Sequence, residues 1–375
     1  MEFSQLWSEL VKGLAAFTWG NGLMIAIGAV LIALAIIKKY EPVLLLPIGF
    51  GCVLANIPLT GMTDSTGIFG VLYTAGISNE LFPLLIFLGV GAMIDFSPLL
   101  SQPKMVLLGA AGQFGIFGTL VLATMLGFPL NEAASIGVIG AIDGPTAIYV
   151  ASKLAPEMLA PIAVAAYSYM SLVPIIQPPI MKLLTTKEER RIRMEYTPRP
   201  VSRRARIIFP IAITLVTSLL VPDAAPLISM LMLGNLLRES GVVDRLRSAA
   251  ENEIINVTTL FLGLTIGSTM GAEKFLQWDT AAVLGLGLLA FVLDTVAGLL
   301  FGKLMSVLSR RTINPLIGAA GISAFPMAGR LAAQVAQEED YENFILMHAM
   351  GANTAGQLGS VMAGGVLLAL VTGLL

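Results

Sequence analysis

Charge is what this chain of 375 residues has least of. Only 12% of its residues are Asp, Glu, Lys or Arg, about half the roughly 25% usual in soluble domains. A single cysteine, Cys52, excludes an internal disulfide, a CxxC redox pair and a thiolate metal cluster. A single histidine, His348, excludes an HExxH zinc site and leaves any catalytic triad resting on that one residue. No Walker A sequence occurs, so ATP does not drive the chain directly. A net charge of −2 argues against a nucleic-acid partner. The opening segment, MEFSQLWSELVKGLAAFTW, lacks a basic start followed by a clean apolar core, so it does not read as a cleavable signal. Phe3, Leu6, Trp7, Leu10 and Leu14 instead form one stripe of an interfacial helix over 1–18.

What is abundant is apolar surface. Hydrophobic residues make up 56% of the chain, and stretches of spanning length recur, as at 19–37, 105–127 and 281–301. The reading is an all-α polytopic membrane protein. Basic residues mark cytoplasmic loops. The densest basic cluster lies at 182–206, with smaller groups at Lys38 and Lys39, at Arg238, Arg245 and Arg247, and at Lys303, Arg310 and Arg311. The stretches 58–80 and 128–152 hold no basic residue, so they face outward at least in part. Both chain ends are then expected outside.

Two stretches repeat. IFLGVGAMIDF (86–96) matches LFLGLTIGSTM (260–270), and DGPTAIYVASKL (143–154) matches AGISAFPMAGRL (320–331), at nearly equal offsets. The helix containing Phe87 enters from the uncharged side, and the one containing Phe261 from the basic side. Corresponding helices therefore cross in opposite directions, as in inverted repeats with sites on broken helices near the midplane. The expected division is an interfacial helix at 1–18, a first membrane repeat at 19–181, a basic cytoplasmic linker at 182–206 and a second repeat at 207–375. Parity demands one re-entrant or broken segment in each half. Proline and glycine name the places: Asp143-Gly144-Pro145, Val173-Pro174 with Gln177-Pro178-Pro179, Asn314-Pro315 with Gly318 and Gly321, and Ala324-Phe325-Pro326.

The break GAIDGPTAIYV puts a carboxylate into an apolar run. An unpaired carboxylate at bilayer depth costs roughly 2.5–3.5 kcal/mol, which makes function the default reading of Asp143. The plainer alternative is Asp143 bonding to Thr146 as a cap of the following half-helix. The second half offers neutral oxygens at matched places: Asn314, Ser323 and Asn353, the last falling opposite Tyr169. Asp143, Thr146, Tyr169, Asn314, Ser323 and Asn353 would converge at the repeat interface as oxygen ligands suited to Na⁺. Against this, Asn353 and Ser360 also suit helix–helix hydrogen bonding in a Gly/Ala packing face. Asp95 reads as a helix-end residue near Pro98, and Asp294 as a carboxylate paired with a cation or hydroxyl.

The motifs GAIDGPTAIYVASKLAP, AAYSYMSLVPIIQPPIMKLLTTKEER and NPLIGAAGISAFPMAGR carry a resemblance over essentially the whole chain. It resembles the β subunits of biotin-dependent sodium-pumping decarboxylases, which act on oxaloacetate, methylmalonyl-CoA, malonate or glutaconyl-CoA. Its length is closer to the shorter acyl-CoA type. The resemblance implies that Asp143 is required for Na⁺ transport and that Tyr169 is the functional tyrosine. It also implies roles for Asn314, Gly318, Ser323 and Asn353 around Na⁺, and for Arg330 toward carboxybiotin. It implies an elevator-like fold of scaffold and core, assembled as a homo-trimer. The partners implied are a biotin carrier subunit, a carboxyltransferase (α) subunit and a small membrane subunit. The setting implied is the cell's inner (plasma) membrane, with the linker 182–206 cytoplasmic. On this reading carboxybiotin is decarboxylated at the cytoplasmic mouth, the site supplies biotin's proton, and Na⁺ moves outward. A sodium-coupled symporter of a small carboxylate is the rival, and a purely structural anchor would leave Asp143 unexplained.

Overall fold

A computed structural model describes residues 11–195 and 200–374. The stripe residues Phe3, Leu6, Trp7 and Leu10 lie outside the described residues, and Leu14 is exposed. Among the described residues the chain is helical and contains no strand. Four helical spans among the described residues are long and apolar enough to cross a membrane: Trp19–Lys38, Met105–Met125, Trp278–Leu308 and Leu346–Leu374. Bent helix pairs raise this to as many as six.

The first three main helices are α1 (Trp19–Ala33), α2 (Pro42–Ala55) and α3 (Leu81–Met93). Next come α4 (Met105–Ala111) and α5 (Phe114–Met125), two parts of one span separated at Gly112 and Gln113. The separation has a cause. A Cβ on Gly112 would collide with the carbonyl oxygen of Gly321, so only glycine lets that distant loop approach here.

A first hairpin follows. Its legs are α6 (Leu130–Gly137) and α7 (Gly144–Leu154), joined by a 3₁₀ turn over Val138–Ala141. The amide of Asn131 donates to the carbonyl of Leu154 at 2.9 Å, so both legs end at one level and the segment re-enters instead of crossing. Lys153 pairs with Glu80 at 2.9 Å beside that base. From there α8 (Leu159–Leu184) runs 26 residues, about 39 Å along its path at 1.5 Å per residue. It bends by 61° between Met170 and Leu172. Pro174 accounts for the bend, because it has no N–H for the carbonyl of Met170 four residues back. The Pro174 and Pro178-Pro179 sites expected as breaks are thus kept inside one bent helix.

At the far end of α8 a capped turn, Lys187–Arg190, leads into a strap whose Arg190 and Ile192 carbonyls hold a second hairpin. The basic stretch is therefore only partly linker. Its first residues finish α8, and its last begin α9 (Arg203–Leu220). Then follow α10 (Ala225–Ser240), α11 (Ile255–Ser268) and the 31-residue α12 (Trp278–Leu308). The second hairpin has short α13 (Leu316–Ala319) as its first leg and α14 (Met327–Glu339) as its second. Asn314 at its start donates to the carbonyls of Arg190 at 3.0 Å and Ile192 at 2.9 Å. Asn343, just past its end, donates to the same two carbonyls at 2.9 and 3.2 Å. The two hairpins are thus tied at opposite ends of α8. The chain closes with α15 (Leu346–Leu374).

Packing of the outer helices is reciprocal between the halves. α2 packs on α11, and α3 packs on α10. A Cβ on Gly51 would run into the carbonyl of Leu264, and one on Gly267 into that of Ile48. Likewise Gly91 faces the carbonyl of Leu231 and Gly234 that of Leu88. Small residues let these backbones touch, which is how helices associate where lipid removes the hydrophobic drive.

Two lone acids resolve differently. Asp95 accepts from the amide of Ser97 at 2.8 Å, the helix-end role expected of it. Asp294, fully buried, accepts from the amide of Gly115 at the start of α5; it meets a backbone amide instead of a cation or hydroxyl.

Candidate ion site between two hairpin tips

The tip of the first hairpin is built by local chemistry. The 3₁₀ turn ends at Ile142, which takes a left-handed conformation (φ 52°), and Asp143 then starts α7 in extended backbone. Pro145 supplies a preset φ in the first turn, where its missing N–H costs nothing. The Asp143 carboxylate caps this half-helix, accepting from the amide of Thr146 at 3.4 Å and from its hydroxyl at 2.8 Å. The capping reading is therefore realised in the geometry.

Capping does not exhaust the carboxylate. Its Oδ2 also accepts from the Gln357 amide at 3.0 Å and the Ser360 hydroxyl at 2.9 Å, both on α15. Three side-chain donors thus crowd Oδ2, while Oδ1 has only the long contact from Thr146. Asp143 is 5% exposed. It lines a cavity of about 400 Å³ together with Ser323, Phe325 and Gln357 from the second half. The cavity also reaches Glu41, Met93 and Glu251. Arg238 donates to the carbonyl of Met93, which places this mouth at the end of the molecule carrying the basic clusters.

The expected residues do not all meet here. Thr146 and Ser323 do, Ser323 also donating to the carbonyl of Gly356 at 2.9 Å. Tyr169 points away: its hydroxyl donates to the carbonyl of Leu284 on α12. Tyr167, two residues before it, lines the cavity. It is 1% exposed, its hydroxyl has no partner among the described residues, and its ring packs so tightly on Gly144 that a Cβ there would overlap it. Two residues along a helix are about 200° apart, so the pair Tyr167 and Tyr169 must face opposite ways. The register of α8 against Gly144 is the signal that separates them.

Asn314 sits at the base of the second hairpin, where it holds the strap and its Oδ1 accepts from Leu316. It is a tie, remote from the tip, and does not line the cavity. Gly318 packs against Gly298 of α12, each filling the space of the other's absent side chain. Asn353 donates to the carbonyl of Ile322 at 2.7 Å, and its own oxygen is buried without a partner among the described residues. Arg330 is exposed on α14, three residues past Met327 of the cavity wall, with no ion pair among the described residues.

Sequence reasoning missed Gln357 and Ser360 as partners of Asp143. With Asn353 they lie at i, i+4 and i+7, one face of α15 that touches both hairpin tips. That spacing was the available signal.

At the strap, Arg190 pairs with Glu339 and Arg193 with Asp340. The hydrogen bonds from Arg190 and Arg193 hold these two carboxyls below their usual range. Among the described residues no three His, Cys, Asp or Glu side chains gather as a metal cluster. The Asp143 carboxylate, with the Thr146 and Ser360 hydroxyls beside it, supplies oxygens of the kind that fit a hard monovalent cation.

A buried carboxylate at the tip of a re-entrant hairpin, opening on a cavity, defines a polytopic membrane protein with an ionisable group set among its apolar helices. The chain belongs to the family of Na⁺-transporting oxaloacetate decarboxylase beta subunits, whose pattern matches residues 20–371. It is 54% identical over 362 residues to the glutaconyl-CoA decarboxylase subunit beta of Acidaminococcus fermentans, covering 96% of each chain. It is equally close, 54% over 361 residues and 96% of each chain, to the methylmalonyl-CoA decarboxylase subunit beta of Veillonella parvula. Identity to the oxaloacetate decarboxylase beta chain of Klebsiella pneumoniae is 47% over 424 positions, covering 96% of this chain and 98% of that one. That alignment exceeds the 375 residues present here, so the longer relative carries insertions.

Proposed function

We propose that this subunit decarboxylates carboxybiotin brought by a partner carrier subunit and couples the reaction to outward Na⁺ movement across the cell membrane. The observation that carries the reading is Asp143: a buried carboxylate at a hairpin tip, facing a cavity that opens at the basic end. By the positive-inside rule that end is cytoplasmic. The reciprocal packing and the oppositely tied hairpins support two inverted repeats.

The chemistry needs a proton. When the N–CO₂ bond breaks, CO₂ leaves and the electron pair stays on the ureido nitrogen, which must be protonated. Asp143 and the unpartnered Tyr167 hydroxyl face the cavity where that nitrogen would arrive. Asp143 alternates between a Na⁺-bound carboxylate and a protonated acid, so proton delivery and Na⁺ occupancy exclude one another. Ser323, Ser360 and Thr146 turn hydroxyl lone pairs to the cation. Arg330, exposed beyond the cavity wall, meets the carboxylate of the arriving carboxybiotin. The 361- and 362-residue alignments with CoA-ester decarboxylase subunits favour an acyl-CoA complex over an oxaloacetate one.

The test is Asp143→Asn in the whole complex, reconstituted in vesicles with ²²Na⁺. Decarboxylation and Na⁺ transport should both be lost while the subunit still inserts. Avidin should abolish transport by the unaltered complex. Sodium-stimulated turnover in the variant overturns the role of Asp143, and transport indifferent to avidin supports a carboxylate symporter instead.

A further inference from the structure

The turn between α1 and α2 places an acidic residue where an acid would ordinarily cap a helix, yet it does not cap. Glu41 immediately precedes α2, whose first residue is Pro42, and its side chain makes no cap hydrogen bond. Both Lys39 (φ 56°) and Glu41 (φ 33°) hold left-handed backbone, which L side chains adopt at a cost. The carboxylate of Glu41 has no hydrogen bond or ion pair among the described residues. It is half-buried, and it lines the cavity that leads to Asp143. The other acid of that wall, Glu251, is already matched to Arg247 at 3.3 Å. Among the described residues, Glu41 is therefore the acid at the mouth left without a partner.

We propose that Glu41 forms a second cation position at the cytoplasmic mouth of the cavity, which Na⁺ occupies on its way to Asp143. The proposal rests on the reading of Asp143 as the inner ion site. Asn256 and Thr259, on the next turns of the wall from Glu251, add neutral side-chain oxygens on the same cavity. The Tyr167 hydroxyl, nearly fully buried and unpartnered, looks into the cavity from deeper in. An uncompensated carboxylate partly out of water is costly, and a monovalent cation is the ligand that offsets it. Among the described residues no lysine or arginine lines the cavity to do so. A cation held at Glu41 also relieves the repulsion that an N-carboxylate would meet on entering.

The experiment titrates Na⁺-dependent decarboxylation by the whole complex, at low ionic strength and again with added choline chloride. Glu41→Gln should raise the half-saturating Na⁺ concentration roughly threefold or more at low ionic strength. Choline chloride should shrink that difference, because the half-buried carboxylate at the open mouth is still partly screened. Glu41→Asp, which keeps the charge, should stay closer to the native value than Glu41→Gln. An unshifted titration in Glu41→Gln, beside an inactive Asp143→Asn, overturns the outer position alone. Equal impairment of Gln and Asp variants at both salt levels overturns it too, by showing that the turn matters and the charge does not. Sodium stimulation surviving in Asp143→Asn overturns the inner site, a result independent of either Glu41 variant.

Discussion

Ser360 donates to Oδ2 of Asp143 at 2.9 Å, across 217 positions of sequence. The last helix of the second half thus reaches the broken helix of the first. Removing that hydroxyl leaves the carboxylate charged but short of one partner, a loss of about 1–3 kcal/mol. At about 1.4 kcal/mol per factor of ten, Ser360→Ala should raise the half-saturating Na⁺ concentration roughly five- to 150-fold. A sodium titration of decarboxylation measures it. An unchanged midpoint would return Ser360 to helix packing.

Ser323 and Asn353 should separate in their effects. Ser323 lines the cavity, and its alanine variant should shift the Na⁺ titration in the manner of Ser360→Ala. Asn353 holds the carbonyl of Ile322 behind the tip, so Asn353→Ala should cost about 1–3 kcal/mol of stability. Thermal denaturation in detergent reads the second effect, and a Na⁺ shift without a stability loss in Asn353→Ala would contradict the geometry.

Gly144→Ala tests the packing of the first tip. The added methyl would collide with the Tyr167 ring, and overpacking of this kind costs about 1–3 kcal/mol. The variant should melt at lower temperature and lose Na⁺-dependent turnover. Shrinking the ring in Gly144→Ala/Tyr167→Leu should restore the melting temperature without restoring turnover. Full recovery of turnover would remove Tyr167 from the chemistry.

Acid should loosen the strap. Ordinary Glu and Asp carboxyls titrate near 4.3 and 3.9, and Arg190 and Arg193 hold Glu339 and Asp340 below that range. Since the folded values are depressed, the stabilisation is complete above the ordinary values and is lost as pH falls through the folded ones. Spin labels at positions 188 and 342 should keep a narrow distance distribution at neutral pH and broaden below about pH 4. In Glu339→Gln/Asp340→Asn the broadening should already be present at neutral pH.

A cysteine at Thr63 should react with an impermeant label from outside, and one at Ser202 from inside. Reaction from one common face would refute the topology.

The break at Asp143 was legible because aspartate, glycine and proline in succession do not suit the interior of an apolar helix. The expectation of a re-entrant or broken segment in each half came from the charge map, since an uncharged outer stretch and a basic inner one bracket an odd number of crossings where two apolar segments are on offer. The partners of the carboxylate were harder to read. Gln357 and Ser360 sit in a Gly/Ala-rich helix where a polar residue reads equally well as packing, and only tertiary contact turns that face toward Asp143. Which of Tyr167 and Tyr169 lines the cavity depends on the rotation of α8, which its neighbours fix. Asn314 carries an amide suited to a ligand, and nothing local announces that its nitrogen donates to two backbone carbonyls far upstream.

Those carbonyls have a mechanical consequence. Asn314 and Asn343 stand at the two feet of the second hairpin and share Arg190 and Ile192 as acceptors. Four hydrogen bonds at about 1 kcal/mol each lock both feet to one piece of backbone. That backbone is the continuation of α8, whose other end leads from the base of the first hairpin. Neither foot can slide alone. The second loop is hung from α8 like a bucket from its handle, and whatever tilts α8 carries the hairpin that bears Ser323 with it.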